Sequence, residues 1–181
     1  MIYVFLANGF EEIEALAPVD FLLRAGIDVK TVGVSGKFCR GAHGINIEAD
    51  ILLSDAVLDS SLDGIILPGG MPGAENLNNS GKVQEAIDYC VQNNKIIGAI
   101  CAAPFVLGRK GVLKDKNATC FPGFENELLG ANIVESGVVT DGNVVTAKGA
   151  GVAWEFGAAI CALITGEEKS LEILRGIQWV K

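Results

Sequence analysis

The chain has 181 residues, of which 50% are hydrophobic and 20% charged, and its mean hydropathy is +0.39. This composition excludes a disordered chain and predicts a single domain, residues 1–181, that forms a core without disulfide or metal support. With 14 basic against 22 acidic residues the net charge is −8, which argues against a nucleic-acid partner because binding to a phosphate backbone requires a basic face.

The sequence shows no membrane or export signal. No apolar run approaches the roughly 18 residues that span a bilayer, and residues 1–7 lack the basic start of a signal peptide, so we expect a cytoplasmic protein without membrane contact. The five cysteines are odd in number and form no C-x-x-C pair. Their spacing argues against both a disulfide framework and a zinc site.

The first part of the chain predicts a strand, a tight turn and a helix. Ile2–Ala7 is apolar, Asn8-Gly9 is a turn signal, and residues 11–25 carry apolar side chains at helical spacing. Val29–Val34 predicts the second strand. Lys37–Glu48 predicts a small β-hairpin excursion.

The middle of the chain repeats this alternation. Leu62–Leu67 predicts an apolar strand that ends in the glycine-rich turn Pro68–Gly73, and Lys82–Gln92 predicts an amphipathic helix. Lys95–Ile100 predicts another buried strand. Residues 102–108 then return to helical character.

The last part predicts shorter elements and two closing helices. Residues 118–121 predict a strand and residues 124–129 a short helix. Residues 138–146 predict a hairpin in which Asp141-Gly142 is typical of a type I′ turn. Residues 151–164 and 171–177 predict the closing helices.

Alternating strands and helices with short connections predict an α/β fold, in which a mainly parallel sheet is covered on both faces. In such sheets ligands bind beyond the carboxyl ends of the strands. Three features meet at that edge: the turn after the first strand, the Gly69-Gly70 turn and Cys101.

Cys101 stands where a predicted strand ends and a predicted helix begins, so its side chain would lie on a sharp elbow. Amide groups at a helix start favour a thiolate and lower the pKa of its thiol. We therefore interpret Cys101 as a reactive nucleophile, although cysteine is also a common buried core residue. Cys90 and Cys161 lie among apolar helix residues and are predicted to be buried. The sequence leaves the burial of Cys39 and Cys120 open, with Cys39 the better candidate for an exposed thiol.

Glu11 and Glu14 lie three residues apart at the start of the first predicted helix, where the helix dipole alone also favours carboxylates. A desolvated carboxyl close to a thiolate is pushed toward protonation. Glu14 would then donate a hydrogen bond to sulfur and act as an acid or a base.

Backbone amides next to the nucleophile form a second part of the predicted site. The N–H groups of Gly70, in the Gly69-Gly70 turn, and of Ala102 could form an oxyanion site. His43, the single histidine, lies in a glycine-flanked loop and is expected to be exposed and non-catalytic.

Four segments resemble the ThiJ/PfpI superfamily, in the branch of the parkinsonism-associated protein deglycase. They are Gly9–Glu14, Leu67–Ala74, Gly98–Pro104 and Lys148–Gly151, and the likeness extends over nearly the whole chain. The resemblance implies a flavodoxin-like three-layer α/β sandwich, usually a homodimer. It also implies a reactive cysteine at Cys101 and a protonated glutamate at Glu14, with no metal and no other cofactor.

The chain departs from the family pattern in two places. Some members carry a histidine where this chain has Phe121, and members of this branch have an arginine in the loop that holds His43. Phe121 and His43 are therefore candidate pocket residues, and Glu11 is a third candidate. Protease and amidotransferase relatives have a histidine beside the nucleophile, where Ala102 follows Cys101 here, so a cysteine peptidase or amidotransferase is the less favoured function.

The resemblance implies two classes of function that share one site. The first is a cofactor-independent glyoxalase or deglycase that acts on 2-oxoaldehydes such as methylglyoxal, a small reactive carbonyl. The second is an oxidation-sensing, stress-protective or chaperone-like protein in which Cys101 is oxidised to a sulfinic acid. The sequence does not separate these two.

Overall fold

The computed structural model describes residues 1–180, which fold around one seven-stranded sheet. The strands are β1 (Ile2–Leu6), β2 (Val29–Gly33), β3 (Phe38–Arg40), β4 (Asn46–Glu48), β5 (Ile51–Leu52), β6 (Gly64–Leu67), β7 (Ile96–Ile100), β8 (Asn117–Ala118), β9 (Asn132–Ile133), β10 (Val138–Asp141) and β11 (Val144–Ala147). The large sheet has the order β10-β11-β7-β6-β1-β2-β5, and only the β10–β11 pair is antiparallel. The predicted mainly parallel sheet is confirmed.

Within the described residues, six α-helices flank this sheet. They are α1 (Glu12–Arg24), α2 (Gly73–Asn78), α3 (Gly81–Gln92), α4 (Pro104–Arg109), α5 (Ala153–Thr165) and α6 (Glu167–Gly176). Across residues 1–180, the helices are all too short or too polar to cross a bilayer.

The sheet separates two hydrophobic cores, because side chains alternate between its faces along every strand. In β1, Tyr3 and Phe5 belong to the core that α2, α3 and α4 cover. Ile2, Val4 and Leu6 belong to the core that α1, α5 and α6 cover. The predicted three-layer α/β sandwich is therefore confirmed.

The register of the sheet aligns the carboxyl ends of its central strands. Leu67 at the end of β6 pairs with Ala99, and Ala147 at the end of β11 pairs with Ile100 at the end of β7. Because β1 also runs parallel to β6, the connections that follow all four strands begin at the same edge. The predicted β excursion is confirmed as the antiparallel pair β3–β4, which lies outside the large sheet.

Helix α2 was not expected from the sequence. Pro72 and Gly73 are typical of a turn, and a helix of six residues is too short to show an amphipathic period. Burial of Ala74 and Leu77 against the first core holds it in place. Tertiary packing therefore overrides the local turn signal here.

The hairpin turn differs from its predicted type. Asp141 pairs with Val144, so the two loop residues are Gly142 and Asn143 rather than Asp141-Gly142. Only Gly142 has a positive φ, of 63°. A type I′ turn needs positive φ at both positions, whereas a type II′ turn needs glycine at the first, so the type I′ prediction is wrong.

Two shorter predictions also need correction. The strand predicted over residues 118–121 is limited to Asn117–Ala118, because the chain then turns to pass beside Cys101. The helix predicted over residues 124–129 is a single 3-10 turn at Glu125–Glu127.

Candidate active site

Cys101 occupies a backbone elbow at the end of β7. Its φ is +64°, a left-handed conformation that is uncommon outside glycine and costs on the order of 1 kcal/mol. Hydrogen bonds on both sides hold it there: the Cys101 N–H donates to the Ala147 carbonyl and the Phe121 N–H donates to the Cys101 carbonyl, each at 2.8 Å. The side chain is partly exposed.

The helix after Cys101 begins later than expected. Helix α4 starts at Pro104 and has six residues, so Cys101 lies outside its first turn. The amide groups that do reach the sulfur are the N–H groups of Gly70 and Ala102. The structure therefore places both amides named from the sequence at the Cys101 sulfur. Neither amide belongs to the first turn of α4, so the predicted contact between the thiol and a helix start is absent from the described part of the chain.

Glu14 reaches the same point from α1. Its side chain is buried, with 1% relative exposure, and hydrogen-bonds to Cys101. The Gly69 N–H donates to Glu14 Oε2 at 3.0 Å, and the Ala150 N–H also hydrogen-bonds to this carboxyl. This role of Ala150 was not predicted from the sequence, although its segment was part of the family resemblance.

Glycine is required in the turn between these two side chains. A Cβ atom on Gly69 would lie 2.5 Å from Glu14 Oε2 and 2.6 Å from Cys101 Cβ. Gly70 has a φ of +81°, and a Cβ atom there would lie 2.4 Å from the Glu11 amide nitrogen. The Gly69-Gly70 turn is therefore a spacer without side chains, which leaves room for the Glu14 carboxyl and the Cys101 thiol to come into contact.

Burial governs the ionisation of both groups. Burial raises the pKa of Glu14 to about 7, with the Glu11 charge adding to this, while hydrogen bonds from Cys101, Gly69 and Ala150 act in the opposite direction. Burial and the Glu14 charge raise the pKa of the Cys101 thiol to about 12, against the lowering effect of the Gly70 and Ala102 amides. The expectation that amide groups lower the Cys101 pKa is therefore wrong, because burial and the Glu14 charge outweigh the Gly70 and Ala102 hydrogen bonds.

The two groups behave as one titrating pair. A thiolate beside a carboxylate would place two negative charges in a buried site, so the thiolate forms when Glu14 holds the proton. Between the two pKa values, of about 7 and about 12, the pair carries one negative charge and one proton, which can pass between oxygen and sulfur. This arrangement suits a site that must supply both a nucleophile and an acid.

Glu11 and His43 lie beside this pair rather than on the sulfur. The Glu11 side chain caps α1 by accepting the Glu14 N–H at 2.7 Å. His43 is exposed, as expected, and its Nδ1 lies 2.8 Å from Glu12 Oε2 and 3.7 Å from Glu11 Oε1. Within residues 1–180, no hydrogen bond joins His43 to Cys101, so a Cys-His dyad is not formed.

Glu12 has a role that was not predicted from the sequence. This buried carboxylate accepts the N–H groups of His43 at 2.9 Å and Ile45 at 3.3 Å, and so attaches loop 41–45 to α1. Burial acts to raise the Glu12 pKa, but these hydrogen bonds and that of the His43 ring lower it below its ordinary value. The Glu12 hydrogen bond, followed by its charge, raises the pKa of His43.

Donor atoms of Glu11, Glu12 and His43 lie within 4.8 Å of one another. They could supply three ligands to a metal ion. The Glu12 oxygens, however, already accept hydrogen bonds from the loop that they hold. The cluster therefore has a structural role: it attaches loop 41–45 to α1, and we call it the clasp.

Phe121 lines one wall of the site. Its side chain is half-exposed, and its ring faces Gly149 in the segment after β11. Its backbone amide supports the Cys101 elbow.

The remaining cysteines are all buried. This confirms the expected burial of Cys90 and Cys161, and Cys120 is buried too. The preference for Cys39 over Cys120 as the exposed thiol is wrong, because Cys39 is the inward-facing residue of β3 and its Sγ donates to the carbonyls of Leu6 at 3.1 Å and Gly36 at 3.3 Å.

Comparison with known proteins agrees with this architecture. The DJ-1/PfpI family profile matches residues 1–163. The chain is 39% identical over 171 residues to Protein DJ-1 homolog B of Arabidopsis thaliana, a match that covers 93% of this chain and 39% of that protein. It is 34% identical over 167 residues to the glutathione-independent glyoxalase DJR-1.2 of Caenorhabditis elegans, covering 91% and 88% respectively.

A solved structure extends the likeness to three dimensions. Toxoplasma gondii DJ-1, in an oxidized form, superposes with a TM-score of 0.94 at 31% identity over 99% of this chain and 98% of that one. The chain spans less than half the length of the two Arabidopsis DJ-1 homologues that it matches.

The cysteine lies on a left-handed elbow next to a buried glutamate. This fold and this site define a class of proteins: three-layer α/β sandwiches with a thiol-carboxyl pair at the carboxyl edge of the sheet. The family profile covers most of the chain, and full-length relatives exceed 30% identity. The chain belongs to the DJ-1/PfpI family.

Proposed function

We propose that the protein is a cofactor-independent glyoxalase that converts 2-oxoaldehydes such as methylglyoxal to 2-hydroxy acids. The observation that carries this proposal is the hydrogen-bonded pair of Glu14 and Cys101, with the Gly70 and Ala102 amides directed at the same sulfur. The glyoxalase named among the relatives supports the same chemistry.

The first step is the addition of sulfur to the aldehyde. The Cys101 proton passes to Glu14, the thiolate forms a C–S bond with the aldehyde carbon, and the carbonyl electron pair moves to oxygen. The Gly70 and Ala102 amides are the donors available to this oxyanion. The oxyanion then takes the proton from Glu14, which leaves a hemithioacetal and a carboxylate.

The second step is an internal redox change that needs no external oxidant. The Glu14 carboxylate removes the proton from the former aldehyde carbon and delivers it to the neighbouring carbonyl oxygen, which gives an enediol. Glu14 then takes the hydroxyl proton of the former aldehyde carbon and delivers it to the neighbouring carbon. One carbon is thereby oxidised to a thioester and the other reduced to an alcohol. Water hydrolyses the thioester and releases lactate when the substrate is methylglyoxal. A Glu14 pKa of about 7 suits a group that both gives and takes a proton.

Lactate formation from methylglyoxal by the purified protein tests the proposal. Cys101→Ala is expected to abolish it, and Glu14→Gln to lower turnover by roughly 100- to 10,000-fold while the protein stays folded. Cys161→Ala is the matched control, because it removes a buried thiol from α5 without touching the site. Unchanged lactate formation by the Cys101 variant would refute the glyoxalase.

The deglycase form of the proposal extends this chemistry to early glycation adducts. It is separated from the action on free aldehyde by removing free methylglyoxal before the protein is added. Cys101-dependent repair that persists under this condition supports a deglycase; its loss leaves the glyoxalase alone.

An oxidation sensor is the second candidate, and the burial of the other thiols favours it. Among the described cysteines, only Cys101 is partly exposed. Two equivalents of peroxide would oxidise its thiolate through the sulfenic to the sulfinic acid, with release of two equivalents of water or alcohol. Mass spectrometry after mild peroxide treatment should find the added oxygen on Cys101 first. Earlier oxidation of another cysteine would contradict a sensor at this site.

A further inference from the structure

A groove of about 440 Å³ opens beside the Glu14–Cys101 pair. We name it the Phe121 groove, and its lining residues are Phe121, Pro122, Lys148, Gly149, Ala150, Gly151 and Val152. It lies between two segments that belong to the site: the turn after β8, which supports the Cys101 elbow, and the segment after β11, which hydrogen-bonds to Glu14.

Gly149 connects the groove to the reacting groups. A Cβ atom built on Gly149 would lie 3.5 Å from the Phe121 ring and 3.9 Å from Glu14 Oε1. The aromatic ring and the carboxyl are therefore separated by little more than the width of one side-chain atom. A substrate held covalently on Cys101 and in contact with Glu14 has this groove as a neighbouring open space.

The lining of the groove favours an apolar occupant. Phe121 is 48% exposed, and Pro122 is also exposed, so their apolar surface faces water when the groove is empty. Lys148 is the only ionisable side chain in the lining. An aromatic ring placed against Phe121 would gain stacking in addition to the burial of apolar area. A methyl group is too small to use this surface.

We propose that the Phe121 groove binds the carbonyl substituent of the substrate, so that the enzyme prefers aryl 2-oxoaldehydes such as phenylglyoxal to methylglyoxal. This inference rests on the proposed glyoxalase function and adds the substrate class. The steps are those given for methylglyoxal: sulfur adds to the aldehyde carbon, the proton of that carbon passes to the neighbouring oxygen and its hydroxyl proton to the neighbouring carbon, and water releases mandelate in place of lactate.

The first test compares kcat/KM for the two aldehydes. The wild-type protein is expected to favour phenylglyoxal by about tenfold or more, which is the scale of discrimination that a hydrophobic pocket provides. Phe121→Ala should lower kcat/KM for phenylglyoxal about tenfold more than for methylglyoxal. Phe38→Ala is the matched control, because Phe38 is exposed on β3 and outside the groove; it should leave the ratio unchanged.

Gly149→Ala gives a steric test in the opposite sense. The added methyl group makes only ordinary contacts in the empty site, so folding should be preserved. It would fill the space between the Phe121 ring and Glu14, and should therefore reduce phenylglyoxal turnover more than methylglyoxal turnover. A wild-type ratio near one, or an equal effect of the Phe121 and Gly149 variants on both aldehydes, would overturn the inference.

Product binding separates this inference from the proposed function. Calorimetry with Cys101→Ser protein, which cannot turn over, should show tighter binding of mandelate than of lactate, and Phe121→Ala in that background should remove the difference. Methylglyoxal turnover without any mandelate preference rejects the groove and keeps the glyoxalase. A mandelate preference without Cys101-dependent turnover rejects the glyoxalase and keeps the apolar subsite.

Discussion

The Glu14 carboxyl and the Cys101 thiol are joined by a hydrogen bond where the first turn of α1 meets the end of β7. Because burial disfavours a charge on either group, the pair holds a single negative charge between the two pKa values, of about 7 and about 12. The reactivity of the sulfur is therefore a property of the pair.

The first prediction concerns thiolate formation. In the wild type, the ultraviolet thiolate absorbance of Cys101 should rise well above the Glu14 pKa of about 7, because burial and the Glu14 charge raise the thiol pKa to about 12. Glu14→Gln removes the second negative charge and should move this rise to lower pH. Cys101→Ser provides the baseline for the four buried thiols. Superimposable curves for the wild type and Glu14→Gln would show that the two groups do not titrate together.

The second prediction concerns stability. Burial raises the Glu14 pKa in the folded protein from 4.5 to about 7, so the folded state binds more protons than the unfolded state in that window. The free energy of unfolding should therefore fall as pH rises from 4.5 to 7, by up to about 3 kcal/mol. Glu14→Gln should lack this fall. Urea unfolding of both proteins across the window measures it, and parallel pH profiles would contradict the assignment.

The third prediction uses the single histidine, whose imidazole resonances can be assigned without ambiguity. Its pKa should lie above 6.5, mainly because of the Glu12 hydrogen bond, and Glu12→Gln should return it toward 6.5. Glu48→Gln, on the exposed face of β4, is the control and should have little effect. NMR titration measures the His43 pKa in each protein. A wild-type pKa that is not raised above 6.5 would contradict the hydrogen bond between Glu12 and His43.

The same clasp predicts a pH window for the attachment of loop 41–45. The raised His43 pKa gives stabilisation that is complete below 6.5 and is lost as pH rises through the folded value. The lowered Glu12 pKa gives stabilisation that is complete above 4.5 and is lost as pH falls through the folded value. Hydrogen exchange of the Ile45 amide should therefore be slowest, after correction for intrinsic rates, between these two limits.

The fourth prediction tests the glycine spacer. Gly69→Ala places a methyl group against Glu14 and Cys101, and should cost about 1–3 kcal/mol of unfolding free energy together with the reactivity of the thiol. Gly81→Ala, at the start of α3, meets nothing within 4 Å and should stabilise by up to about 1 kcal/mol. Urea unfolding and iodoacetamide labelling report the two effects. Normal labelling of the Gly69 variant would mean that the spacer is not required.

The strand and helix alternation could be read from the sequence because apolar periodicity is a local signal. Helix α2 could not, since its six residues fold through contacts of Ala74 and Leu77 with the first core. The burial of Cys39 was also hidden, because a three-residue strand shows too little alternation to reveal which face is inward.

The candidate site, too, could be predicted from the sequence only in part. Cys101 and Glu14 could be located from their positions in predicted elements and from family resemblance. The raised thiol pKa could not, because it depends on how much water reaches a sulfur and on a charge 87 positions away in the chain, between residues 14 and 101. Glu12 was missed because its partners, the amides of loop 41–45, carry no side-chain signature.

The positions of the four buried thiols allow them to report on how the protein unfolds. Cys90 and Cys120 are sealed beneath one helical layer, and Cys39 and Cys161 beneath the other. Alkylation rates at these four positions can thus tell whether the layers detach separately or in one concerted event, with no engineered probe.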